Sequence, residues 1–328
     1  MRKWWIAGIV GWITLGVVGL GLLAFMVLSG WRPPGGQSSG LTTFARVPGY
    51  PDAIVYTPDG EGVVIATQGD GAYLTSALDG SIIRKFDKGF VRELALSPDG
   101  EVLVTRAADD KTVHVWRVVD GTLLRSITEG TTWVSELDFS LDGEWLAIGS
   151  NGQVKLWRIS DWTEKWSSSS QDFSLGFSPD GRTLAVGGMN IALLDAATGK
   201  TLHTLAGHGF DVAFTPDSRV LAVPASVNSG DVILYDVSSA RELRRLEGPD
   251  TTYVQAQELT FTPDGGSLVV GYNNGTARMW RTSDGVLQQT LQLGRNKSPS
   301  SLAFSADGGT LLIGTYEAVL KWDAAKGE

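Results

Sequence analysis

A seven-residue phrase, Leu94-Ala95-Leu96-Ser97-Pro98-Asp99-Gly100, returns in near copies along almost the whole chain. Counted from the place of Pro98, the copies fall at Pro58, Pro98, Leu141, Pro179, Pro216, Pro263 and Ala306, spaced by 40, 43, 38, 37, 47 and 43 residues. A period in this range is that of a propeller blade rather than of a helical solenoid.

The phrase has a direct physical reading. Alternating apolar residues precede it (Leu137 and Phe139, Leu259 and Phe261, Leu302 and Phe304), as in a strand with one buried face. Proline then presets φ, aspartate caps its own backbone and glycine accepts positive φ, so the chain reverses. A second apolar strand follows each time, for example Val102 to Val104, Trp145 to Ile148 and Leu268 to Val270. The acidic turn residues Asp59, Asp99, Asp142, Asp180, Asp217, Asp264 and Asp307 invite comparison with a calcium array, but turn chemistry alone explains aspartate at that place. Two further strands complete each repeat, as in Thr112 to Trp116 and Leu123 to Ile127, or Val232 to Tyr235 and Glu242 to Leu246. Four strands make a blade, and seven blades close an all-β ring. The 41 glycines against 12 prolines suit so many tight turns.

Strand c closes on Trp or Tyr in VHVWRVVDG (113 to 121), VKLWRISD (154 to 161), VILYDVSS (232 to 239), ARMWRTSDG (277 to 285) and VLKWDAAKG (319 to 327). On these phrases residues 41 to 328 resemble the WD-repeat propeller family, and the SPDG wording is also similar to shorter repeats of bacterial envelope propellers. Gly-His survives once, at Gly207-His208, and the aspartate of the b to c turn is clear at Asp110, so the family's Asp, His, Ser/Thr and Trp network is expected to be mostly missing. The last repeat stops after strand c, whereas residues 41 to 47 read as a spare strand d. The N-terminal segment is therefore expected to complete the last blade and remove an exposed edge.

Residues 1 to 31 face a different solvent. No charged residue appears between Lys3 and Arg32, and the apolar run 4 to 28 forms a helix of roughly 37 Å, enough to span a bilayer with tilt. Trp4, Trp5 and Trp31 fit interfacial belts, and Arg2 and Lys3 place the N-terminus inside, with the propeller outside the cytoplasm. The rival is a cleavable signal peptide ending near Val27-Leu28-Ser29, whose apolar region is normally shorter. Residues 32 to 40 are a Pro, Gly and Ser linker. Its formal G-x-S-x-G at 36 to 40 lacks the strand and helix of a nucleophile elbow.

The chain offers little for catalysis. Cysteine is absent, and His114, His203 and His208 show no ligand-like pairing, so no catalytic, cofactor or metal residue is assigned. Beyond Lys3, 25 basic side chains stand against 36 acidic ones, which argues against nucleic acid. The loops from strand d to the next strand a, on the face the resemblance calls the top, carry Phe90, Trp133 and Tyr253 just before the next blade. The resemblance implies that such loops contact partners, and exposed aromatics make good anchors; the opposing expectation is that each ring packs on its neighbouring blade. Because the linker enters strand d at the bottom, the top face is expected to point away from the membrane. The reading is a membrane-tethered protein-binding or assembly scaffold. The alternative is a propeller enzyme or a small-ligand or metal carrier acting at the central channel.

Overall fold

The structure is a computed structural model; it describes residues 40–328 except 107–108, 110, 129–132, 151, 170–173, 251–252, 295–296 and 325–328. The expected anchor at 4 to 28 and nearly all of the linker lie outside the described residues, as does Asp110. Among the described residues no helix is long and apolar enough to cross a membrane.

Seven four-stranded antiparallel sheets follow one another along the chain. Blade two shows the pattern, with strands a to d at Leu94–Leu96, Val102–Arg106, Thr112–Arg117 and Leu123–Thr128. Each a to b turn is built as its residues require. In blade two Ser97 Oγ donates to Asp99 Oδ1 (2.5 Å), which also accepts from the Glu101 amide (2.9 Å), while Gly100 takes φ 73°. The same Ser or Thr with Asp clasp recurs at Thr57, Ser140, Ser178, Thr215, Thr262 and Ser305. The turn aspartates are thus engaged by their own turns.

Closure follows the sequence expectation. Thr42–Ala45 pairs antiparallel with Val319–Asp323, setting Thr42 opposite Lys321 and Ala45 opposite Val319. The N-terminal strand is therefore strand d of blade seven, whose other strands are Pro299–Phe304, Thr310–Thr315 and Val319–Asp323.

The core is divided among the blade interfaces. One buried apolar cluster joins blades two and three through Val104, Val115, Leu137 and Ile148; another joins five and six through Val232, Leu234, Leu259 and Tyr272. Equivalent clusters fill the remaining five interfaces. Because both faces of each blade are covered by neighbours, strand b reads as a continuous apolar run, buried throughout in Leu146 to Gly149.

Candidate interaction face and central channel

Strands alternate in direction, so the d to a loops and the b to c loops of all seven blades share one end of the ring. Phe90, Trp133 and Tyr253 all sit in d to a loops, and they are 52%, 60% and 80% exposed. Each ring keeps about half or more of its surface open to solvent. They belong to three different blade junctions rather than one cluster, and Tyr50, Met189, Phe210 and Tyr316 add exposed apolar side chains on the same face that sequence reading passed over. Tyr50, at the start of strand a in blade one, meets Tyr316, in the b to c loop of blade seven, edge to face at 6.5 Å.

The loops that present these rings are held from beneath. Phe90 lies between Asp87 and Val91, whose amide donates to the Thr67 carbonyl (3.0 Å). Asp87 is buried at the centre of a side-chain network. Trp116 Nε1 donates to Thr105 Oγ1 (2.9 Å), Thr105 Oγ1 donates to Asp87 Oδ2 (3.1 Å), and His114 Nδ1 lies 2.8 Å from the same oxygen. Burial works against the Asp87 charge, but His114 and the Lys88 amide outweigh it and hold the carboxyl below its usual range. In return the Asp87 hydrogen bond raises the His114 value.

A complete network of Asp, His, Thr and Trp is therefore present in blade two with its parts rearranged: the aspartate occupies the d to a loop and the histidine strand c. Blade two alone has a hydroxyl at the Thr105 place; elsewhere Ile65, Ile148, Val186, Val223, Val270 and Ile313 stand there. Accordingly the indole N–H groups of Trp157 and Trp322 have no partner among the described residues.

Tyr253 is fixed differently. Its φ is +67°, a conformation that costs a residue with a side chain roughly 1–2 kcal/mol. Asn273 holds it there, accepting from the Gln255 amide (3.0 Å) and donating to the Tyr253 carbonyl (3.2 Å), while Gln255 Nε2 donates to the Val227 carbonyl of blade five. The strained residue is thus locked to two blades while its ring faces solvent.

Inside the ring runs a channel of about 890 Å³, from Tyr316 and Phe210 at the loop face to Pro58, Pro98 and Pro179 at the turn face. Its wall carries six carboxylates, Asp52, Glu93, Glu136, Asp138, Asp211 and Glu258, against two guanidinium groups, Arg92 and Arg106. Their placement has a local cause. Strand a of blades one, three, six and seven contains a β-bulge, between Pro51 and Ala53, Val134 and Glu136, Ala256 and Glu258, and Pro299 and Ser301. The bulge interrupts the two-residue alternation, and both the extra residue and the next one reach the wall, as in Ser135 with Glu136 and Gln257 with Glu258.

The carboxylates also answer a need of the backbone. Strand a is an inner edge, and some of its N–H groups face the channel without a strand partner. Asp138 Oδ2 accepts from the Phe177 amide (2.7 Å), Asp211 Oδ2 from the Leu259 amide (2.6 Å), and Ser301 Oγ from the Ile54 amide (3.0 Å), each joining one blade to the next. Asp138 and Asp211 are half-buried in the channel wall, each keeping some contact with channel solvent. Burial accordingly pushes Asp138 and Asp211 up to about 7, against the pull of their amide partners. Burial also lifts Glu93 to about 8, opposed by Arg106 and by a hydrogen bond with Glu136 and reinforced by Asp52. Glu136 and Glu258 are raised well above the ordinary value by burial and by neighbouring carboxylates. The signal was present in sequence: five places before the turn proline the seven repeats read Ala53, Glu93, Glu136, Ser174, Asp211, Glu258 and Ser301. Among the described residues no group of three or more His, Asp or Glu side chains is arranged to hold a metal ion.

Comparison with known proteins agrees with this architecture. The family described as "WD domain, G-beta repeat" matches residues 80–117 and 121–158, across blade two and much of blade three. The chain is 29% identical over 263 residues to Periodic tryptophan protein 2 of Arabidopsis thaliana, covering 70% of this chain and 28% of that protein. It is 29% identical over 145 residues to an uncharacterised WD repeat-containing protein of Synechocystis, covering 40% of each. A third relative, a U3 small nucleolar RNA-associated protein 18 homolog of Arabidopsis thaliana, is 25% identical over 195 residues, 59% of this chain and 30% of that protein. The chain thus spans less than half the length of these relatives. Among solved structures, Kuenenia stuttgartiensis hydrazine synthase superposes with a TM-score of 0.73 at 20% identity, over 84% of this chain and 96% of that one, a likeness of fold alone. In its matched repeats, its WD-repeat relatives and its seven four-stranded blades the chain is similar to WD-repeat β-propellers.

Proposed function

We propose that this propeller is a protein-binding scaffold that engages its partner through the loop face, with Phe90, Trp133 and Tyr253 as anchors, and that residues 4 to 28 tether it to a membrane with the propeller outside the cytoplasm. The observation that carries the binding reading is Tyr253: a strained backbone, held by Asn273, presents a ring that is 80% exposed. Backbone strain that no packing of the side chain offsets is characteristic of functional positions, and an anchor presented on a locked loop loses little entropy on binding. The WD-repeat relatives point the same way, toward interaction rather than catalysis. The tether rests on the uncharged apolar run and its flanking Arg2 and Lys3.

The channel carboxylates, with their raised values, are the one feature that favours a catalytic or ligand-carrying alternative. Asp138 and Asp211 are occupied in joining neighbouring blades, however, which favours a structural duty for them.

Crosslinking of the full chain in intact membranes, read by mass spectrometry, tests both parts. A specific protein captured by the wild type and lost on replacing Phe90, Trp133 and Tyr253 together with Ala supports the scaffold; unchanged capture removes those residues from it. Deleting residues 1–40 is expected to release the propeller from the membrane fraction, and its retention there would refute the tether.

A further inference from the structure

The end of the ring opposite the loop face differs from blade to blade. At the tip of the c to d turn the seven repeats read Leu78, Val119, Ser160, Ala197, Ser238, Ser283 and Ala325. Large apolar tips thus occur in blades one and two, where Leu78 is 89% and Val119 76% exposed. The same two blades begin strand d with an aliphatic pair, Ile82-Ile83 and Leu123-Leu124, and all four side chains are exposed. At that place blades three to six carry Glu164-Lys165, Thr201-Leu202, Glu242-Leu243 and Leu287-Gln288. Between blades one and two lies a groove of about 800 Å³ whose apolar side is formed by Leu74, Ala77, Leu78, Ile83 and Val118. Single exposed aliphatics need no explanation, but six gathered on one side of a ring mark a contact surface.

The patch adjoins the place where the N-terminal chain enters the ring. Thr42–Ala45 is strand d of blade seven, and the Phe44 carbonyl lies so close to Gly80, in the c to d turn of blade one, that no Cβ fits there. Between residue 28, where the apolar run ends, and Leu41 lie 12 residues, which reach no more than roughly 43 Å when fully extended.

On the basis of the membrane tether, we propose that the aliphatic rim of blades one and two rests in the interface of a zwitterionic lipid bilayer, with Leu78 and Val119 as inserted tips. The loop face is thereby left open to the protein partner. Lipid suits this patch better than protein does. Its side chains are all aliphatic, whereas protein interfaces are anchored chiefly by Trp, Tyr and Arg, with Leu and Val under-represented. Binding at the hydrocarbon boundary scales with the apolar area buried. The opposite side of the groove carries Asp59, Glu61 and Asp99, which repel anionic headgroups. The carboxylates beside the tips serve their own turns, Asp79 accepting from the Ser81 amide (3.0 Å) and Asp120 from the Thr122 amide (2.9 Å). A short tether holds the rim at high effective concentration near the bilayer, so a patch too small to bind from solution suffices.

The chain contains no cysteine, so single bimane-labelled cysteines can report on the rim. The full chain is reconstituted in phosphatidylcholine nanodiscs as Leu78→Cys, Val119→Cys, Ser238→Cys or Met189→Cys. Exchange for doxyl-labelled lipid is expected to quench the labels at 78 and 119. Those at 238, the same turn place in blade five, and at 189, on the loop face, are expected to keep their fluorescence. A label at Leu123→Cys is expected to be quenched likewise, and to lose that quenching, with Tm unchanged, when Leu78→Ser, Ile83→Ser and Val119→Ser are added. Quenching at 123 that survives these serines shows that the linker alone holds the ring near the bilayer and overturns the proposal, as does equal quenching at every site or at none. A chain that fails to enter the nanodisc refutes the tether and this proposal with it; one that enters but leaves 78 and 119 unquenched refutes the rim contact alone. Quenching confined to phosphatidylglycerol, or a photo-crosslinker at 78 that captures protein instead of lipid in native membranes, also overturns the proposal.

Discussion

Asp138 offers the sharpest way to measure what the channel does to the stability of the ring. Its carboxyl is held in the wall by the Phe177 amide of the next blade, and burial raises its value from 3.8 to about 7. A group whose value is raised on folding stabilises the native state fully below its unfolded value. That contribution is lost as pH climbs toward the folded value, because the unfolded chain releases its proton first. The loss therefore runs from about pH 4 to about pH 7 and is complete above. A rise of about three pH units corresponds to roughly 4 kcal/mol at about 1.36 kcal/mol per unit, and solvent in the channel reduces this to about 2 kcal/mol at the low end. Asp138→Asn removes the titration while its amide oxygen still accepts from Phe177. Thermal and urea unfolding of wild type and variant at pH 4.5, 6, 7.5 and 9, at constant ionic strength, is expected to show the variant gaining on the wild type by about 2–4 kcal/mol across the series. For a propeller of roughly 290 residues that is about 3–6 °C in Tm. The variant keeps a residual slope from Asp211 and Glu93, which burial likewise pushes up, to about 7 and about 8. A gap between the two proteins that stays constant from pH 4.5 to 9, or one that shifts in the wild type's favour as pH rises, would refute the reasoning.

Thr105→Val strands the Trp116 indole N–H and removes a donor from Asp87, and is expected to cost about 1–3 kcal/mol in denaturant unfolding; a change under about 0.5 kcal/mol would deny the network a stabilising part. Tyr253→Gly relieves the positive φ and is expected to be neutral to about 1 kcal/mol more stable while losing partner capture, so a clear loss of stability contradicts the account of that loop. Removal of residues 41–47 opens blade seven along Val319–Asp323 and exposes Leu320 and Trp322; a sharp fall in Tm is expected, and an unchanged Tm would show that the closing strand contributes nothing. In Asp87→Asn, the His114 titration followed by NMR is expected to move down toward the ordinary histidine value, since the Asp87 hydrogen bond is the main cause of its rise.

Much of this architecture was legible in the chain. The turn at Pro98 and its six copies mark the blade period, apolar alternation before each turn marks strand a, and the spare segment 41 to 47 identifies the strand that closes the ring. These features are local: a Ser-Pro-Asp-Gly turn carries its own hydrogen bonds, and a period of two carries its own buried face, so neighbours in sequence suffice to specify them. The Phe90, Trp133 and Tyr253 positions were also legible as loop aromatics, but their exposure was not, because whether a ring packs on the next blade depends on how that blade is seated.

The channel and the blade-two network were decided only in three dimensions. Glu93, Glu136, Asp211 and Glu258 share one repeat position yet come from blades about 40 residues apart or more, and they act on one another only because the ring closes. Bulges in strand a, which no alternation pattern announces, add Asp52 and Ser135 to the same wall. Asp87, Thr105, His114 and Trp116 come from a loop and two strands, and only blade packing brings their polar atoms within hydrogen-bond distance. Sequence by itself determined the repeating unit, its turns and the strand that joins the ends, since these depend on backbone conformation and hydrophobic period. The tertiary structure decided which side chains share the partly enclosed space of the channel, and for carboxylates that burial favours the uncharged form.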